Sequence, residues 1–238
     1  MVNRFNTAYR AGTVQQTAEY DEGLRAYMLK VYNYMASGVL LTGIVALLVA
    51  QSETLLQAIF GGPQAYIVMF APFAFVLVMS FGVHKMKSST LQMLFWAYAA
   101  TMGLSLSVIL LAYTGESVAR TFFITAAAFG ALSLYGYTTK KSLSGMGTFL
   151  MMGLFGLIIA SIVNIFMQSS MLDFVISLAG VLIFAGLTAY DTQRIKESYH
   201  MMATGEAVAK GAIMGALNLY LDFVNLFLFL LRFLGNRE

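Results

Sequence analysis

The chain of 238 residues is 59% apolar and only 11% charged, with a net charge of +3 and a mean hydropathy of +0.76. Soluble domains carry about a quarter charged residues, so water cannot be the main solvent of this surface. No lysine and arginine stripe with interleaved aromatics is present, which argues against a nucleic-acid partner, and the lack of cysteine removes disulfides, thiolate metal sites and thiol nucleophiles together.

A bilayer core about 30 Å thick takes about 20 apolar residues per helix, leaving room for roughly seven crossings. The expected fold class is therefore all-α, a polytopic membrane bundle of seven transmembrane helices. Residues 1–26 carry Arg4, Arg10, Glu19, Asp21, Glu22 and Arg25 without an apolar run. They read as a polar cytoplasmic tail rather than a cleavable signal peptide, with the transmembrane domain over 27–232 and a short tail over 233–238. Apolar runs place the spans near Tyr27 to Ala50, Tyr66 to His84, Leu91 to Ala112, Val118 to Tyr137, Met146 to Gln168, Leu172 to Asp191 and Ile213 to Leu231. Gly61, Gly62 and Pro63 break the first connection, Tyr113 to Gly115 the third, and Ser142 to Gly147 the fourth.

Alternate loops sort the 14 lysines and arginines so that all but Arg120, Arg232 and Arg237 lie on one side. Short basic loops stay in the cytoplasm, so the amino terminus is expected inside. The carboxyl terminus then lies outside if the last segment crosses, although Arg232 and Arg237 would equally suit a re-entrant segment. Small residues at helical spacing, such as Gly153, Gly156 and Ala160, read as close helix packing.

Two carboxylates stand out. Asp222 falls in the middle of the last span and Asp191 at the inner end of the sixth. An ionised aspartate at the centre of a membrane helix costs on the order of 3 kcal/mol, so it faces a partner or a wet cavity rather than lipid. Asn218, Asp222 and Asn225 follow at steps of four and three, on one helical face, and Thr188 and Asp191 are likewise three apart. The sixth helix runs inward and the seventh outward, so Asp191 and Asp222 can meet. Two acids in a poorly solvated site cannot easily both ionise, and such a pair shares a proton. On this reading it is a proton-sensitive latch that repels or recruits a cation when ionised, with hard oxygen ligands favouring calcium. The alternative is a buried, satisfied link that holds the last helix. His84, beside Lys85 and Lys87, either tunes the latch or simply anchors the second span at the interface. The methionines and phenylalanines identify no cofactor site.

The segments Ala189-Tyr-Asp-Thr-Gln193 and Ala216-Leu-Asn-Leu-Tyr-Leu-Asp-Phe-Val-Asn-Leu-Phe-Leu-Phe-Leu-Leu-Arg232 closely resemble the signature of the Bax inhibitor-1 family, and the resemblance, strongest to its bacterial inner-membrane branch, covers essentially the whole chain. It implies a bundle with the seventh helix central among the other six, and a pH-sensitive calcium leak gated by two aspartates. By motif these fall on Asp191 and Asp222. Some relatives carry an arginine near the inner end of the second helix and an acid earlier on it; this chain has His84 and Lys85 and no acid there.

The expected function is thus a proton-regulated calcium leak in the bacterial inner membrane, with Asp191 and Asp222 as sensor, gate and transient calcium ligands, and His84, Thr188, Asn218 and Asn225 in support. No resident cofactor is expected; the lipid bilayer, calcium and protons are the partners. An alternative is a binding module that modulates a membrane protease or another membrane protein through the amino-terminal tail and carries no ion. An enzyme is not expected: Leu219, Tyr220 and Leu221 precede Asp222 where intramembrane aspartyl proteases place glycines. Nor does any span hold a buried lysine for a retinal Schiff base.

Overall fold

The computed structural model describes residues 2–202 and 205–236, with side chains from Asp21 onward. Among them there is no strand. The chain forms α1 (Val2–Ala50), α2 (Glu53–Phe60), α3 (Gln64–Gly82), α4 (Ser88–Ala112), α5 (Gly115–Thr138), α6 (Ser144–Met167), α7 (Ser170–Ser198) and α8 (Gly205–Leu234), with one 3₁₀ turn at Tyr199–Met201. Seven of these helices are long and apolar enough to cross a membrane. The short α2 lies in what the sequence suggests is a simple turn; Ser52 caps it by accepting from Leu55 N at 3.4 Å, and Gly61 closes it.

The last two helices outrun their apolar cores. α7 continues to Ser198 and α8 begins at Gly205, so Asp191 lies about two turns inside its helix rather than at its end. Hydropathy marks only the hydrocarbon-facing part, whereas the helical hydrogen bonds continue into the polar interface.

α8 is the most enclosed span. Of its membrane stretch 56% is buried, against 11% for α3 and for α6. It packs on α1, α4, α5 and α7, whereas α3 packs chiefly on α4, and α6 on α7. Phe70 and Phe73 of α3, and Phe149, Phe155 and Phe166 of α6, are accordingly exposed, as residues facing lipid must be.

Polar and small residues join the helices where no hydrophobic drive exists. Thr42 of α1 donates to Ala99 O of α4 at 2.8 Å, which uses its single proton, so at 2.6 Å the Tyr220 hydroxyl of α8 is the donor to Thr42. A Cβ on Gly103 would lie 2.7 Å from Thr42 O, so α1 and α4 approach backbone to backbone there. In α3, Pro72 lacks the N–H that would bind Val68 O. Ser105 of α4 supplies the missing donor, at 2.8 Å.

α8 is a single unbroken helix, long and apolar enough to cross a membrane. Its 30 residues extend about 45 Å, and beyond its end Asn236 N donates to Ser117 Oγ at 2.8 Å while Thr114 N donates to Asn236 O at 3.1 Å. The carboxyl end is thereby fixed to the α4–α5 turn. At the opposite face, Glu206 accepts from Ser88 N at 2.7 Å and from its hydroxyl at 2.9 Å, joining the start of α8 to the α3–α4 turn.

Candidate functional site

The α7–α8 hairpin sets the geometry of the aspartates. Gly215 of α8 packs on Ile195 of α7, and Gly180 of α7 on the Phe229 ring of α8. This antiparallel register sets Asp222 level with Thr188, and Asp191 about one turn nearer the hairpin end. Since Cα–Cβ bonds lean toward each helix's amino terminus, Asp191 leans toward the membrane centre and Asp222 toward the hairpin. The two side chains converge. Asp222 is 4% exposed, in the middle of the most buried helix, and its Oδ2 has no hydrogen-bond partner among the described residues. The charged groups that act on it are Asp191 and Arg194.

Arg194 is the member that sequence reading missed. It follows Asp191 by one turn of α7, and its Nη2 stands 3.5 Å from Asp191 Oδ1; the Arg194 side chain is 52% exposed and that of Asp191 14%. The site therefore grades from an accessible cation at its rim, through a largely enclosed acid, to a buried one. The signal for Arg194 was available in the i, i+3 spacing of opposite charges on one helix, although sorting it only as a loop charge concealed it.

Around this cluster α7 is tightly held. Gly136 of α5 lies against the Ala189 carbonyl, where any Cβ would collide with backbone. Gln193 Oε1 accepts from Leu143 N at 2.7 Å and its Nε2 donates to Lys141 O at 2.9 Å, so it clasps the α5–α6 turn. Lys196 Nζ donates to Tyr137 O at 2.7 Å. Thr192 donates to Thr188 O at 2.8 Å and meets the Ser133 hydroxyl at 3.4 Å, and the Tyr32 hydroxyl of α1 interacts with both Thr192 and Ser133. Asp191 is thus carried on a rigid turn of helix.

The remaining sequence-derived candidates are dispersed. Thr188 is fully buried beside the pair, but its hydroxyl donates to Phe184 O at 2.8 Å. Asn225 Nδ2 donates to Leu221 O of its own helix at 2.8 Å, and Asn218 is half-buried one turn before Asp222. No hydrogen bond joins either asparagine to an aspartate among the described residues. His84 is exposed in the α3–α4 turn, on elements that flank α4, and is not among the groups acting on Asp222. No cluster of three or more histidine, aspartate or glutamate side chains with metal-binding spacing occurs among the described residues.

Fold and site together define a seven-span helical membrane protein with a charged cluster, two acids and an arginine, built into its last hairpin. The sequence matches the profile described as "Inhibitor of apoptosis-promoting Bax1" over residues 24–238. The chain belongs to this Bax inhibitor-1 family. It is 52% identical over 226 residues to a Rickettsia prowazekii protein, covering 95% of this chain and 96% of the relative. A Caulobacter vibrioides protein is 46% identical over 250 residues, with complete coverage of both chains at 100%. The Escherichia coli inner membrane protein YbhL is 45% identical over 219 residues, covering 91% of this chain and 94% of the relative.

Proposed function

We propose that this protein is a pH-sensitive calcium leak of the bacterial inner membrane, gated by a proton shared between Asp191 and Asp222. The observation that carries the reading is the buried Asp222, facing Asp191 and Arg194 from the middle of the most enclosed helix. An acid in that position is a functional site by default, because the membrane cost of retaining it has to be offset.

When the pair holds its proton, the acids attract one another and α8 stays packed on α7. Loss of the proton leaves two like charges in a poorly screened interior, with only one arginine to balance them. The hairpin then loosens and the carboxylates accept a cation. Calcium takes 6–8 oxygen ligands, of which two aspartates supply part, so the remainder are waters and carbonyls. That incomplete shell suits transit rather than storage. On the positive-inside reading of the basic loops, the α7–α8 hairpin, and hence the gate, faces the cytoplasm.

The test is calcium-dye efflux from liposomes carrying the purified protein, from about pH 6 to about pH 8. Wild type is expected to conduct more as pH rises. Asp191→Asn combined with Asp222→Asn mimics the protonated pair and should stay low throughout. Identical flux for wild type and the double variant across that range would overturn the proposal and leave a bundle that acts through partner binding.

A further inference from the structure

A second feature lies on the other side of the α5–α7 contact. α1 packs on α4 and α8, and α5 on α7 and α8, but α1 and α5 leave a gap between them. It is an open crevice of about 490 Å³, within the range of sites that enclose small ligands. Its two ends differ in chemistry. Arg25 and Tyr137 stand at the end nearest the α7–α8 hairpin, while Phe129 and Gly130 line the deep end, with Tyr32 and Ser133 in the wall between.

Arg25 is exposed and has no ion-pair partner among the described residues. Tyr137 is backed by a second cation, Lys196, whose Nζ lies 5.0 Å from the ring centroid. The acids in this neighbourhood, Asp21 and Glu22, lie four and three residues before Arg25, one turn earlier on α1; both are exposed and neither lines the crevice. Gly130 contributes to the open space directly: a Cβ built on it meets nothing within 4 Å.

A cationic rim at the interface and an apolar trough running toward the membrane centre match one class of molecule. We infer that the α1–α5 crevice is a binding site for an anionic phospholipid. Its phosphate is held at Arg25, and one acyl chain lies along Phe129 and Gly130. A zwitterionic lipid fills the same trough but leaves Arg25 unneutralised, so selection rests on the arginine. This inference is independent of the aspartate gate.

Full-length protein in bilayers of phosphatidylethanolamine, doped with chain-labelled phosphatidylglycerol or phosphatidylcholine, reads the preference as the immobilised fraction in electron spin resonance. Wild type is expected to favour phosphatidylglycerol about fivefold, the effect of one basic residue near a membrane surface. Arg25→Gln should bring the ratio to unity. Gly130→Leu, whose Cβ would meet nothing within 4 Å and whose side chain enters the trough, should release the immobilised phosphatidylglycerol while Arg25 is intact. Lys87→Gln, at the same face but away from the crevice, should leave the ratio unchanged. Equal association of both lipids with wild type, or a loss with Lys87→Gln as large as that with Arg25→Gln, would overturn the site.

Discussion

Asp222 is the side chain whose chemistry most needs explaining, and its Oδ2 lacks a hydrogen-bond partner among the described residues. In Asp222→Asn the shape is kept and the titration removed, so folding should persist while calcium flux loses its response to pH. Efflux measured at several pH values checks this; a single variant that still titrates like wild type would show that the acid is only a structural element. Arg194 permits a sharper expectation, because a cation beside two acids favours their ionised forms. Arg194→Gln withdraws that support, so the proton is held to higher pH. The midpoint of flux against pH should therefore move upward, and a midpoint that stays put or falls would remove Arg194 from the mechanism. The two aspartates were legible in the sequence because charge within an apolar run is rare and conspicuous. Gln193 was not, since its partners lie in a turn some 50 positions away, which no local pattern encodes; the pairing of Arg194 with Asp191 was written in their i, i+3 spacing, but its nearness to Asp222 depends on the antiparallel register.

Individual helices were legible to different degrees. The seven apolar runs correspond to α1 and α3 through α8, because length and hydropathy alone define a crossing. α2 escaped notice: at 8 residues it is too short for a span, and the glycines and proline after it dominate the reading of that connection. The compensation at Pro72 was equally hidden, since Ser105 reaches Val68 O from a different helix. It yields a direct expectation: Ser105→Ala should strand that carbonyl and cost about 1 kcal/mol, read as a lower unfolding midpoint in detergent. An unchanged midpoint would mean that another group serves Val68 O. Gly136 is a harder constraint, because the Ala189 backbone lies against it. Gly136→Val should force α5 from α7 at a cost of roughly 1–3 kcal/mol and displace the turn that carries Asp191. Gly130→Val on the same helix meets open space and should be far milder, so equal losses for the two would contradict this packing.

For the molecule as a whole, the ties at the two faces fix how the spans alternate. Asn236 is held at the α4–α5 turn, whereas Glu206 is held at the α3–α4 turn on the opposite face. The native chain has no cysteine, so single cysteines can be introduced without altering any other position. Ser142→Cys should react with an impermeant maleimide only from the cytoplasmic side, and Gly115→Cys and Asn236→Cys only from outside; labelling of Ser142 and Asn236 from one side would reverse the proposed topology.

The central claim concerns a single proton between two acids, and infrared difference spectroscopy observes it directly as the C=O stretch of a protonated carboxyl group in the reconstituted protein. The account predicts one such band that titrates together with calcium flux and is abolished or displaced by Asp191→Asn as well as by Asp222→Asn. A band removed by Asp222→Asn but indifferent in position and titration to Asp191→Asn would show two acids acting separately, and the shared-proton gate would be wrong.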